Sequence, residues 1–184
     1  VRKNALSAAD GCERKPRVTD EPLYARLGFT DAEWGLLVGL PHAVLTAASA
    51  ATHDSARKTR AESAAGLSRI SDARASASTL VTAVATAAVA EAGDPELGEE
   101  PPVIEPADPA AYSKDVLGRA TEAAGLLASK ASVADAETYR HWLLEVADAV
   151  VGAASSGGLL GIGGEAVTED ERTFRDHLAS ALAA

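Results

Sequence analysis

A chain of 184 residues, 47% of them hydrophobic, has the size and composition of one folded domain, which buries roughly 70% of its unfolded surface. A net charge of −10 at pH 7 argues against a nucleic-acid partner, since such binders need a basic footprint to displace counterions. The lone cysteine, Cys12, excludes an internal disulfide, and the longest apolar run, residues 79–92, falls short of the ~20 residues of a membrane span. No charged-then-apolar leader opens the sequence, so the expectation is a soluble, cytoplasmic protein with no membrane partner.

Much of the apolar share is alanine, and the aromatics are two Trp, three Tyr and two Phe. Small side chains let helices approach closely but bury little area each. The core is therefore expected to lean on a few anchors: Trp34, Tyr139, Trp142 and Phe174.

Residues 1–28 mix charge, glycine and proline without periodicity and read as a loosely ordered segment, with a short helical turn over 22–28. The first clear helix opens at FTDAEW. Thr30 caps it, Glu33 reaches back to the cap's amide, and Phe29 and Trp34 occupy the positions of a hydrophobic staple. Pro41 interrupts the apolar pattern, which predicts a kink or two short helices meeting near residues 39–41. From about residue 58 to 92 only Gly66 interrupts a run of helix formers, with Ile70, Ala77, Val81, Val84 and Ala88 on one side of the wheel.

Residues 93–109 carry five prolines and two glycines and cannot be helical throughout. They form either a strap across the bundle, with Val103 and Ile104 docked, or an acidic linker; the strap is preferred. A helix follows to about residue 130, with Val116, Ala120, Ala124 and Leu127 inward. The sharpest pattern is Tyr139, Trp142, Leu143, Val146, Ala149, Val150 and Ala153, one stripe of an amphipathic helix. The last helix begins at TEDE, where Thr168 and Glu171 make a second capping box, and turns Phe174, Leu178, Ala181 and Leu182 inward.

Between these last two helices lies GGLLGIGG, residues 157–164. Phosphate-binding glycine loops follow a strand and open a helix. This one follows a helix, matches neither dinucleotide nor P-loop spacing, and feeds a helix whose first residues are Glu169, Asp170 and Glu171. It reads as a latch. Gly157 or Gly158 ends one helix, Leu159, Leu160 and Ile162 fold back as apolar plugs, and Gly161, Gly163 and Gly164 permit the reversal.

The stretch ETYRHWLLEVADAVVGAASSGGLLGIGGEAVTEDE (137–171) resembles the C-terminal segment of an uncharacterised group of small, alanine-rich bacterial proteins, and FTDAEWGLLVGLPHAV (29–44) resembles their N-terminal segment. The resemblance implies a small helical intracellular protein of an actinobacterium-like source. It brings no activity and no site residues.

Two constellations have metal-ligand residue types. Glu137, His141, Glu145 and Asp148 share one side of a helix, opposite the Trp142 stripe, where a solvated charged face explains them. His42 and His53 stand about three turns apart, with Asp54 adjacent. No serine sits in a nucleophile elbow, and Cys12 has no neighbouring histidine in sequence. No cofactor is implied.

These readings predict an all-α protein, an irregular antiparallel bundle of five or six helices with a C-terminal glycine-latched hairpin over 136–183. Residues 29–92 and 110–184 supply the helices, 93–109 connects them, and 29–184 form one domain. The expected function is non-enzymatic association with another protein or with a second copy. The alternative is a metal- or small-molecule-binding protein centred on His42, His53 and nearby carboxylates.

Overall fold

Each long helix needs partners for the free amides of its first turn. In the computed structural model, which describes residues 22–51, 56–93, 99, 104–155 and 169–183, Thr30, Ser78, Asp108 and Ser132 supply them for four of these helices. A one-turn helix, α1 (Leu23–Arg26), leads into α2 (Asp31–Ala50). The Thr30 hydroxyl accepts from the Glu33 amide at 3.3 Å, and Glu33 accepts from the Thr30 amide at 2.7 Å, so the expected capping box is present. Phe29 is buried, whereas Trp34 is half-buried, with its ring centre 5.8 Å from that of Tyr24 and 6.4 Å from that of Phe29.

The helix does not divide at Pro41, as the sequence reading allowed; α2 runs through it. A proline at position 41 has no amide to give the carbonyl four residues back, which is that of Leu37. The Tyr139 hydroxyl donates to that carbonyl at 2.8 Å, from another helix and in a buried setting. A side chain 102 positions away takes the place of the missing backbone donor.

The opposite happens farther on. The continuous helix expected over 58–92 is two helices, α3 (Ala56–Asp72) and α4 (Thr79–Ala92), joined by a 3-10 turn at Ala73–Ala75. Ser76 Oγ accepts from the Ser78 amide at 3.2 Å, Ser78 Oγ accepts from the Val81 amide at 3.2 Å, and Thr82 Oγ1 donates to the Ser76 carbonyl at 3.0 Å. At the end of α3, Trp142 Nε1 donates to the Arg69 carbonyl at 3.3 Å, and Arg74 Nε to that of Ser71 at 3.2 Å. Ala77, expected on the inner face, is exposed because it lies in this break, while Ile70, Val81, Val84 and Ala88 are buried as expected.

Gly93, at φ 107°, ends α4. Asp108 caps α5 (Pro109–Lys130) by accepting from the Ala111 amide at 3.0 Å, and the predicted inner residues Val116, Ala120, Ala124 and Leu127 are all buried. Ile104 is 59% exposed, so it does not dock as the strap reading required; Val103 lies outside the described residues. Ser132 opens α6 (Val133–Ser155) by accepting from the Asp135 amide at 3.1 Å. Tyr139, Trp142, Leu143, Val146 and Val150 are buried, with Ala149 and Ala153 at the edge of the stripe. In α7 (Glu169–Leu182), Phe174, Leu178 and Leu182 are buried and Ala181 is partly so.

Among the described residues the protein is all-helical, with seven helices where five or six were expected; the difference comes from α1 and the division at 73–78. Helices α2 to α7 share one apolar core, and the most extensive contact is α3 on α6. Gly66 lies in that contact. A Cβ there would stand 2.7 Å from Leu45 Cδ1 and 2.9 Å from Val150 Cγ2, so the absence of a side chain sets how closely three helices pack. The glycine tract 157–164, Thr168, Cys12, His53 and Asp54 lie outside the described residues; Glu171 falls within the backbone of α7.

Candidate functional site

The break between α3 and α4 leaves a groove against α6. Two contacts fix the register of its walls. At one end Gly66 packs on Val150; at the other Ser78 Oγ donates to Asp135 Oδ1 at 2.6 Å. The chain directions are therefore opposed, and Arg69 and Asp72 line the groove from one side, His141 and Glu145 from the other. The groove has a volume of about 260 Å³. Ala73, Ala75, Val81 and Trp142 give it an apolar base, and Ser76 and Thr138 add hydroxyls. Trp142 is held in place by its bond to the Arg69 carbonyl and by an edge-on contact with Tyr139, ring centres 5.7 Å apart.

His141 Nε2 lies 3.2 Å from Glu145 Oε1, one turn along the same helix, with the His141 side chain 76% exposed. Glu137 and Asp148 are exposed, as the sequence predicted, but His141 and Glu145 line the groove beside Trp142 and not a face opposite it, because adjacent helix positions are only about 100° apart. Asp148 is engaged by Arg175 of α7 at 3.0 Å. Among the described residues no three His, Cys, Asp or Glu side chains are placed to hold a metal ion. His42 is half-buried on α2, where burial lowers its pKa and favours the neutral imidazole, and it does not line the groove. The expected pairing of His42 with His53 and Asp54 falls outside the described residues.

Arg69 and Asp72 escaped the sequence reading, because the residues that face them across the groove come from a helix roughly seventy positions away. The buried pair Ser49 and Glu62 escaped because its two residues lie on different helices, where no single helical period links them. Ser49 Oγ donates to Glu62 Oε2 at 2.8 Å where α2 meets α3.

A second feature is the outer face of α5. Gly118 and Gly125 are exposed, two turns apart, and a Cβ at either would meet no atom of the described residues within 4 Å. At 3.6 residues per turn they lie opposite the buried Val116–Ala120–Leu127 stripe, with Ala111 one heptad earlier and also exposed. Compared with protein-family models, with curated proteins and with solved structures, the chain matches none of them.

Proposed function

We propose that this protein is a helical binding module that acts by docking the outer face of α5 against a helix of another protein or of a second copy, without turning over a substrate. The observation that supports this reading is the pair Gly118 and Gly125. Glycine inside a helix costs about 0.5–1 kcal/mol relative to alanine. At Gly66 close packing within the chain explains that cost, whereas at Gly118 and Gly125 nothing among the described residues does. Small residues at heptad spacing would let a second helix backbone approach closely. The charged residues beside them, Lys114, Asp115 and Glu122, would form a polar rim.

The proposal places the protein in the cytoplasm, a setting supported by its single cysteine. Among the described residues no helix is long and apolar enough to cross a membrane.

The test compares G118A/G125A with G118L/G125L. Sedimentation velocity over a range of concentrations reads self-association, and affinity purification with each variant as bait reads a foreign partner. The leucine variant is expected to lose the association that the wild type and the alanine variant share. A leucine variant that keeps every association of the wild type, or a wild type that associates with nothing, overturns the proposal.

A further inference from the structure

We infer that the groove between α3 and α6 is a binding site for a small zwitterion, a molecule with an ammonium and a carboxylate a few bonds apart, such as a free α-amino acid. Each wall carries one basic and one acidic side chain: Arg69 and Asp72 on α3, His141 and Glu145 on α6. Both types line both sides, yet among the described residues no ion pair joins Arg69 to Glu145 or Asp72 to His141. All four side chains line one groove together with Trp142 and the 3-10 turn, so both signs of charge face the same small volume.

A ligand with one charge would gain from half of this lining and be repelled by the other half. A dipolar ligand satisfies both halves. Its carboxylate fits the planar fork of the Arg69 guanidinium, which binds carboxylates through two parallel hydrogen bonds. Its ammonium, with three donors, fits the carboxylates of Glu145 and Asp72. The His141 imidazole contacts Glu145 and so positions it. The volume of about 260 Å³ lies below the range typical of drug-sized ligands and limits the occupant to about ten heavy atoms, with a short apolar side chain resting on Ala73, Ala75 and Val81. The lining is partly solvated, so affinity is expected on the order of millimolar.

The Trp142 indole N–H reports on the site directly, and that of Trp34, which does not line the groove, serves as the control. In ¹H–¹⁵N spectra of the full chain, L-alanine added to about 50 mM should shift the Trp142 indole signal saturably and leave Trp34 in place. N-acetyl-L-alanine, which lacks the ammonium, and ethylammonium, which lacks the carboxylate, should bind at least about fivefold more weakly at equal ionic strength. Arg69→Gln and Glu145→Gln should each weaken L-alanine by about fivefold. Trp142 bonds the backbone carbonyl of Arg69, so the first substitution leaves that contact intact. Equal responses to the three probes, no response to L-alanine, or unchanged affinity in both variants would overturn the inference. The probe comparison needs only the wild-type chain and decides the matter by itself.

Discussion

Pro41 and the segment 76–78 make opposite demands on the chain. At Pro41 stands the strongest helix breaker among the amino acids, and α2 continues through it. At 76–78 stand two serines and an alanine, none a strong breaker, and the helix stops and restarts. The difference lies in where the backbone hydrogen bonds go. At Pro41 the orphaned Leu37 carbonyl finds Tyr139, so the helical conformation leaves no buried acceptor unpaired. At 76–78 the serine side chains offer the backbone a non-helical alternative, and Trp142 and Arg74 collect the carbonyls that α3 leaves open. Whether a helix breaks is thus decided by how completely the alternative satisfies the backbone, and residue propensity only biases the outcome.

The sharpest way to break the comparison is to remove the substitute donor. Tyr139 is fully buried, and burial raises its phenol pKa far above the usual range, so it remains a donor at any working pH. Tyr139→Phe keeps the ring and leaves the Leu37 carbonyl without its donor, which should cost about 1–3 kcal/mol in urea unfolding. In a Pro41→Ala background the alanine amide can serve that carbonyl, and the cost of Tyr139→Phe should fall by about 1 kcal/mol or more. Strictly additive effects in the four-protein cycle would show that the hydroxyl does not stand in for the proline's missing amide.

A smaller effect is expected from Ser78→Ala. The substitution removes the acceptor for the Val81 amide and the donor to Asp135, so the start of α4 loses both its cap and its tie to α6. Loss of an N-cap serine costs about 0.5–2 kcal/mol. Asp135 keeps its second oxygen on Ser132, which donates to it at 2.7 Å, so the start of α6 should hold. Hydrogen exchange separates the two ends: the Val81 amide should lose protection while that of Asp135 keeps it. Unchanged protection at Val81 would mean that the break at 76–78 does not depend on the serine.

What was legible in the sequence was local. The inner face of α5 and the Tyr139–Val150 stripe of α6 could be read because their period is written in consecutive turns. The box at Thr30 and Glu33 was legible because its two halves are three residues apart. The continuity of α2 was not, because the donor that rescues Pro41 belongs to another helix. The groove was half legible. His141 and Glu145 could be placed on an outer face, but nothing near them in sequence announces Arg69 and Asp72. Ala77 was misplaced through the same cause as the missed break: the wheel was drawn across a cap that it could not see.

The caps at Thr30 and Ser78 each carry a charged tie from a distant helix, and the one at Thr30 can be titrated. Glu33 accepts from Lys130 Nζ at 2.7 Å and from the Thr30 amide at 2.7 Å, while Lys130 also donates to the Gly28 carbonyl at 3.1 Å. Lys130 first, then the Thr30 amide, hold the Glu33 pKa down to about 2, from an ordinary value of 4.5. A carboxyl whose folded pKa is depressed contributes its full stabilisation above the unfolded value and loses it as the pH falls toward the folded one. The loss should therefore run from about pH 4.5 to about pH 2. Both partners are partly exposed, so the effect should be the smallest of the three and should shrink further in salt. Glu33→Gln keeps an acceptor for the Thr30 amide but removes the charge that holds Lys130. Across that window its urea midpoint should fall less steeply than that of the wild type. Identical slopes would show that the tie from α5 contributes nothing to the start of α2, and the two caps would then differ in kind as well as in place.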